Sequence, residues 1–313
     1  MSGMGGELAS LVATMLEREA WVGELTGLDV DPPRRRLRRA TFHRVDPMST
    51  DRIAGIVADF DPHVILHLGV YEPGARAGDT DAEHWTAATL DGVMSGAGRS
   101  LEHVVVRSGI TIYGAAGRRG AIPGEATPAV PNSRFGRMLH TVEAGAAEAG
   151  RIAGVPVGAV RLAPVIGPHV PSPLGRLLRL PAVPFAPFGR SEFSVIWDHD
   201  AAAALVAAVA RHLDGPVNVA ASGSITPLGA IRVGRRIPLP LVGPQWSLAR
   251  LITGTLGAPI PEHVLELLQH GRLADTSAAA DLLGLVPVAS TREVIDRLYT
   301  CPSVVRTIFN EAA

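Results

Sequence analysis

The first nine residues carry a pattern with a chemical use. Met1-Ser2-Gly3-Met4-Gly5-Gly6-Glu7-Leu8-Ala9 runs directly into an apolar-periodic stretch, Leu8, Leu11, Val12, Met15 and Leu16. A glycine turn that opens a helix is a pyrophosphate cradle: glycine lets the backbone approach the phosphate, and free N–H groups of the first helical turn face its charge. Leu25-Thr26-Gly27-Leu28-Asp29-Val30 reads as a short strand. It ends roughly 20 residues past the turn, where a carboxylate meets an adenosine ribose. Asp29 fits that strand end better than Asp31, the alternative being a solvated turn before Pro32-Pro33. Arg34, Arg35, Arg36, Arg38 and Arg39 could engage a ribose 2′-phosphate or simply face solvent. A carboxylate at Asp29 opposes a 2′-phosphate, so NAD is expected, with NADP the alternative.

All 29 basic residues are arginine; there is no lysine. That excludes a lysine general acid, a Schiff base and a lysine phosphate anchor. Cys301 is the sole cysteine, which excludes an intramolecular disulfide and a cysteine-based zinc site. His63, His67 and His84 lack a metal-ligand spacing. A net charge of -1 gives no reason to seek a polyanionic partner, so nucleic acid is not expected. No apolar run reaches the ~20 residues of a bilayer span, and the start does not resemble a signal peptide, so a cytoplasmic location away from membranes is expected.

Periodicity sets out the secondary structure on which these residues lie. Helices are expected over 6–19, 50–59, 81–98 and 133–153, alternating with strands at 25–30, 41–45, 64–69, 103–107 and 157–162. Strands that alternate with helices imply an α/β doubly wound parallel sheet with helices on both faces. Residues 115–131 read as a loop over the carboxyl edge of that sheet. Beyond Gly167-Pro168 the chain becomes proline-rich, as a substrate-covering segment would be. Residues 1–167 are therefore expected as a dinucleotide-binding domain and 168–313 as a smaller substrate lobe, with segments returning to the first.

In order along the chain stand the glycine turn, Asp29, Asp46, His67-Leu68-Gly69, Ser108 through Tyr113-Gly114, Arg161 to Pro168 and Asp198 to Ala202. This series resembles the extended short-chain dehydrogenase/reductase family, in the branch of NAD-dependent nucleotide-sugar epimerases and dehydratases. The resemblance covers nearly the whole chain and implies a Rossmann-like fold. It implies cofactor contacts at Gly3, Met4, Gly6, Asp29, Asp46, His67, Leu68, Gly69, Ser108 and Pro164. The family's glycine motif follows an N-terminal strand; Gly3 and Gly6 match its second and third glycines, and the chain is expected to lack both that strand and the first glycine.

Members of the family use a serine or threonine, a tyrosine, and a lysine four residues after it; the tyrosine exchanges a proton with substrate as hydride moves to or from the nicotinamide. Those positions correspond here to Gly109, Phe135 and Leu139. Ser108, Tyr113 and His140 are the candidate substitutes, each with a structural reading beside it: a strand-end hydrogen bond, packing, and an outward-facing histidine. His67 likewise reads as cofactor contact or strand-end structural residue.

Three functions follow. The chain binds NAD and a small ligand of the nucleotide-sugar kind with ordinary catalysis impaired; or it is an atypical ketoreductase that draws its proton from water or substrate; or it is a scaffold or regulatory protein. The resemblance also implies a homodimer paired through helices 81–98 and 133–153, where Ala144-Gly145-Ala146-Ala147 allows close approach.

Overall fold

The structure, a computed structural model, describes residues 1–75, 78–114, 122–188 and 191–301. Its elements in order are α1 (Glu7–Leu16), β1 (Thr26–Asp29), β2 (Thr41–Arg44), α2 (Thr50–Phe60), β3 (Val64–His67), α3 (Asp79–Ser95), β4 (His103–Gly109), α4 (Arg134–Ala153), β5 (Val157–Leu162), β6 (Val165–Ile166), α5 (Pro173–Leu178) and β7 (Ala182–Phe185). There follow β8 (Ile196–Trp197), α6 (Asp198–Ala210), β9 (Gly215–Val219), α7 (Pro227–Val233), β10 (Ile237–Pro240), α8 (Gln245–Thr255), α9 (Glu262–His270), α10 (Ala278–Leu283) and α11 (Thr291–Thr300). A 3₁₀ turn, Ile110–Tyr113, extends β4. Of the loop expected over 115–131, residues 115–121 lie outside the described residues.

β3, β4, β5 and β9 form a parallel sheet in that order, with Val64 opposite His103, Val104 opposite Val157 and Gly158 opposite Gly215. Val104, Val105 and Val106 are wholly buried. A strand covered on both faces reads as a continuous apolar run, which is why β4 does not alternate. α1 packs against α6 on one face, while α2, α3 and α4 pack in succession on the other. α4 turns Phe135, Met138, Leu139, Val142 and Ala146 inward at helical spacing. It starts where the Ser133 hydroxyl accepts from the Gly136 N–H and stops at left-handed Gly154. The architecture is the α/β, Rossmann-like parallel sheet expected.

β1 and β2 pair in parallel as a separate ribbon, joined to β3 through the first residues of the chain. The Ser2 N–H donates to the Leu66 carbonyl at 3.1 Å and the Ser2 carbonyl accepts from Leu68 N–H at 3.2 Å. On the other side Leu28 N–H donates to the Met1 carbonyl at 3.0 Å, and the Met1 ammonium donates to the Thr26 carbonyl at 2.7 Å. Met1 and Ser2 thus hold the central position of the sheet. Beside them, between Leu25-Thr26 and Val64-Ile65, lies a cavity of about 70 Å³, and a neighbouring one of about 390 Å³ reaches Trp21, Phe60 and Val209.

Two apolar clusters fill the protein. The first lies around the sheet and takes in Ala201 to Val219 together with Ala279 and Leu283. The second gathers Leu174, Leu177, Phe193, Ile231, Leu267 and Leu298. Residues after 168 therefore contribute to both, through α6, β9 and α10.

Candidate active site

The glycine turn enters α1 as its sequence dictates. Gly3 has φ +73°, and a Cβ there would stand 2.5 Å from the Leu68 carbonyl oxygen, so only glycine fits against the end of β3. Gly6 caps α1 without a side-chain bond, and Gly6, Glu7, Leu8 and Ala9 of this uncapped first turn line the cleft. The Glu7 carboxylate stands at this same end, paired with Arg35 at 3.0 Å. Gly3, Gly6, Glu7, Leu68, Gly69 and Tyr71 line a cleft of about 60 Å³, which Val170 and Pro171 close from the opposite side.

Asp29 ends β1 beneath this turn. It is 2% exposed; one carboxylate oxygen accepts from Gly5 N–H at 2.9 Å, and the other accepts from Val30 N–H at 2.6 Å. The Tyr71 hydroxyl donates to that second oxygen at 3.4 Å. Asp29 braces the glycine turn from behind. Of the arginine cluster, Arg34 faces Asp31 at 3.8 Å, Arg35 pairs with Glu7, and the backbone N–H groups of Arg38 and Arg39 are held by the Glu17 carboxylate.

A second cavity, of about 40 Å³, lies where the two apolar clusters meet. Gly109, Phe135 and Leu139 wall it, with Ser108 and Pro164 beside them and His263 of α9 facing them. Glu72, Arg107 and Val165 line both cavities, so the two are neighbours with a shared wall. Gly109 and Leu139 are packed together: a Cβ at 109 would approach Leu139 Cδ1 and the Leu162 carbonyl at 3.2 Å. Leucine fills this space with hydrocarbon. The Ser108 hydroxyl is buried and has no hydrogen-bond partner.

The charged part of this cavity escaped sequence reasoning. His263 Nε2 lies 3.1 Å from Glu72 Oε1, and the imidazole rests against the Phe135 ring with centroids 4.7 Å apart. Arg107 donates to the Val70 carbonyl at 3.5 Å; burial lowers its pKa and the nearby Glu72 raises it in part. Arg176 also feels Glu72 and donates to the carbonyls of Gly257 and Gly74. The one sequence signal was Arg107 itself, a cation ending a run of buried valines.

The remaining candidates lie elsewhere. Tyr113 is 1% exposed; its hydroxyl donates to Asn218 Oδ1 and accepts from Arg161 Nη1, both at 2.8 Å. Arg161 is held in turn by Glu143 at 2.7 Å. Desolvation raises the Tyr113 pKa, so this phenol is a structural donor outside both cavities. His140 is exposed on α4, and Asp46 is exposed in the turn after β2, its carboxylate accepting from Met48 N–H. Met4 is buried in the core. His67 is wholly buried with Nδ1 2.8 Å from the Ser2 hydroxyl, and it lines neither cavity; Leu68 and Gly69 beyond it do line the cleft. No group of three or more metal-ligating side chains occurs among the described residues, and no helix among them is long and apolar enough to cross a membrane.

Known proteins share this fold. The fold resembles a UDP-galactose 4-epimerase (21% identity, TM-score 0.71, 95% of this chain and 96% of that one). It also resembles UDP-glucuronic acid 4-epimerase of Bacillus cereus, solved with UDP-glucuronic acid and NAD (17%, TM-score 0.71, 96% of each chain). An uncharacterized protein of Mycobacterium tuberculosis strain H37Rv is 28% identical over 271 residues, which span 84% of this chain and 71% of that protein. The sequence model of the NAD dependent epimerase/dehydratase family matches residues 1–220, and with that match the chain belongs to this family.

Proposed function

We propose that this chain binds NAD along the cleft at the glycine turn and a small ligand of the nucleotide-sugar class beside it, with the serine-tyrosine-lysine route of its family closed. One observation carries the reading: the cleft adjoins a second cavity walled by Gly109, Phe135 and Leu139, the positions of the absent triad. The residues present fit the cofactor at its pyrophosphate, through Gly3, the uncapped start of α1 and the Asp29 brace. Bound there, NAD supplies a hydride acceptor. The chain positions it, excludes water with Val170 and Pro171, and offers no phenol at Phe135. Ligand sites of this kind measure ~300–1,000 Å³, so admission of a dinucleotide requires residues 170–171 to part from Tyr71 and Glu72.

Titration calorimetry with NAD is the test. Micromolar binding that weakens in a Gly3→Ala variant supports the reading, and absence of heat from the folded chain refutes it. The apolar side of the second cavity, formed by Leu174, Val264 and Leu267, supports a second reading as a reductase of apolar carbonyl compounds. Oxidation of NADH by such a carbonyl panel, with none by nucleotide-sugar ketones, favours that reading. Pairing of two copies through α3 and α4 is part of the proposal, and light scattering at micromolar concentration checks it.

A further inference from the structure

The loss of tyrosine and lysine leaves the second cavity without its family's proton donor, yet a different acid–base pair stands in its wall. Glu72 follows β3 and also lines the cofactor cleft, while His263 comes from the first turn of α9 in the other cluster. Their 3.1 Å contact fixes the chemistry of the imidazole. An ionised carboxylate only accepts, so Nε2 is the nitrogen that donates to it, and in the neutral imidazole Nδ1 then keeps the lone pair. Among the described residues Nδ1 has no hydrogen-bond partner. A carboxylate holding one ring nitrogen while the other is left basic is the arrangement that orients a histidine general base.

The surroundings point the same way. The Phe135 ring occupies the tyrosine position and lies against the imidazole, so His263 is one ring away from the vacated phenol. Ser108 contributes a buried hydroxyl without a partner to the same wall. Arg107, shared with the cofactor cleft, supplies a cation that can hold a substrate oxyanion.

We propose that His263 is the proton-exchanging residue of this site, positioned by Glu72, and that it acts on a secondary hydroxyl of a nucleotide-sugar-class substrate. The proposal rests on the NAD-binding reading above. In the oxidative direction the hydroxyl proton passes to Nδ1 of His263 as the C–H bond yields its hydride to oxidised nicotinamide. The products are a carbonyl, reduced nicotinamide and an imidazolium facing the Glu72 carboxylate. Return of both particles restores the alcohol.

The full chain is tested with UDP-glucose, UDP-galactose and UDP-glucuronic acid as probes, in three measurements. Calorimetry follows NAD binding, absorbance follows nicotinamide reduction in a single turnover, and nitrogen-15 spectra of histidine-labelled chain report the tautomer of His263. The proposal expects the Nε2–H tautomer in the wild type and its loss in Glu72→Gln. It expects a reduction rate that falls ~10²–10⁴-fold in His263→Gln, the range for losing a positioned base, with NAD binding retained. Glu72→Asp is expected to recover part of the rate that Glu72→Gln loses. Wild-type chain that binds NAD but reduces none with any probe overturns the proposal, as does a His263→Gln rate within threefold of wild type. A chain that binds no NAD refutes the cofactor reading instead; the tautomer and its response to the three probes then still decide whether His263 and Glu72 form the pair.

Discussion

For the 313-residue chain with a free amine at Met1, lowering the pH from 8 toward 5 is expected to destabilise the fold steeply, because that amine sits in the middle of the sheet. Burial pushes the Met1 amine down from 8.0 to about 5. Between those values the unfolded chain holds a proton that the folded chain lacks, so stability rises with pH and is lost as pH falls through the window. The whole fall corresponds to about 4 kcal/mol, of which about 2 kcal/mol lies between pH 8 and 6.5. His67 adds a second limb of the same sign. Desolvation, followed by repulsion from the N-terminal ammonium, lowers its pKa from 6.5 to about 3, so it withdraws stability only below pH 6.5. The two limbs separate by acetylating the amine, since the cavity beside Met1 has room for an acetyl group. Urea unfolding at pH 8.0, 6.5 and 5.0, with a constant m-value as the check on two-state behaviour, reads the effect. The unmodified chain should lose about 2 kcal/mol in the first step, and the acetylated chain should lose almost none until the second. Equal losses in both chains, or no loss in the unmodified chain above pH 6.5, would show that the amine is not buried as the sheet places it.

Three further outcomes follow from the packing. Gly3→Ala must hold a side chain at φ +73° against the Leu68 carbonyl, and should reduce stability by ~1–3 kcal/mol in urea unfolding. Tyr113→Phe removes the hydroxyl that joins Arg161 to Asn218, and should lower stability by ~1–3 kcal/mol while leaving NAD affinity unchanged by calorimetry. Leu139→Lys buries an ammonium at a position 1% exposed and should lose at least ~2 kcal/mol by thermal unfolding. A wild-type melting temperature in that variant would show that the second cavity admits water freely.

What could be read from the sequence was what is local in the chain. The buried valines of β4 announced a parallel strand, and the inward stripe from Phe135 to Ala146 announced α4, because each pattern is complete within one element. The glycine turn was legible for the same reason. Asp29 was placed at the correct strand end, yet its partners, Gly5 and Tyr71, are set by how β1 lies under the turn and beside the end of β3, which spacing alone does not encode. Of the charged face of the second cavity, only Arg107, a cation ending a run of buried valines, leaves a signal in the sequence. Glu72, Arg107 and His263 belong to three elements, and no short motif joins them.

Gly109, Phe135 and Leu139 stand far apart in the sequence, and their physical relation is not visible there. Gly109 and Leu139 fit one another: removing the Cβ from one strand end makes the space that the leucine side chain takes. A side chain at 109 alone would press on that leucine and a smaller residue at 139 alone would leave a void, so the two positions are coupled, and the double variant should lose less than the sum of the two single losses. Gly109→Ser with Leu139→Ala is the pair to compare with each single variant. A double variant whose loss in urea unfolding equals the sum of the two single losses would show the positions to be independent; a loss smaller than the sum by ~0.5 kcal/mol or more is what this packing requires.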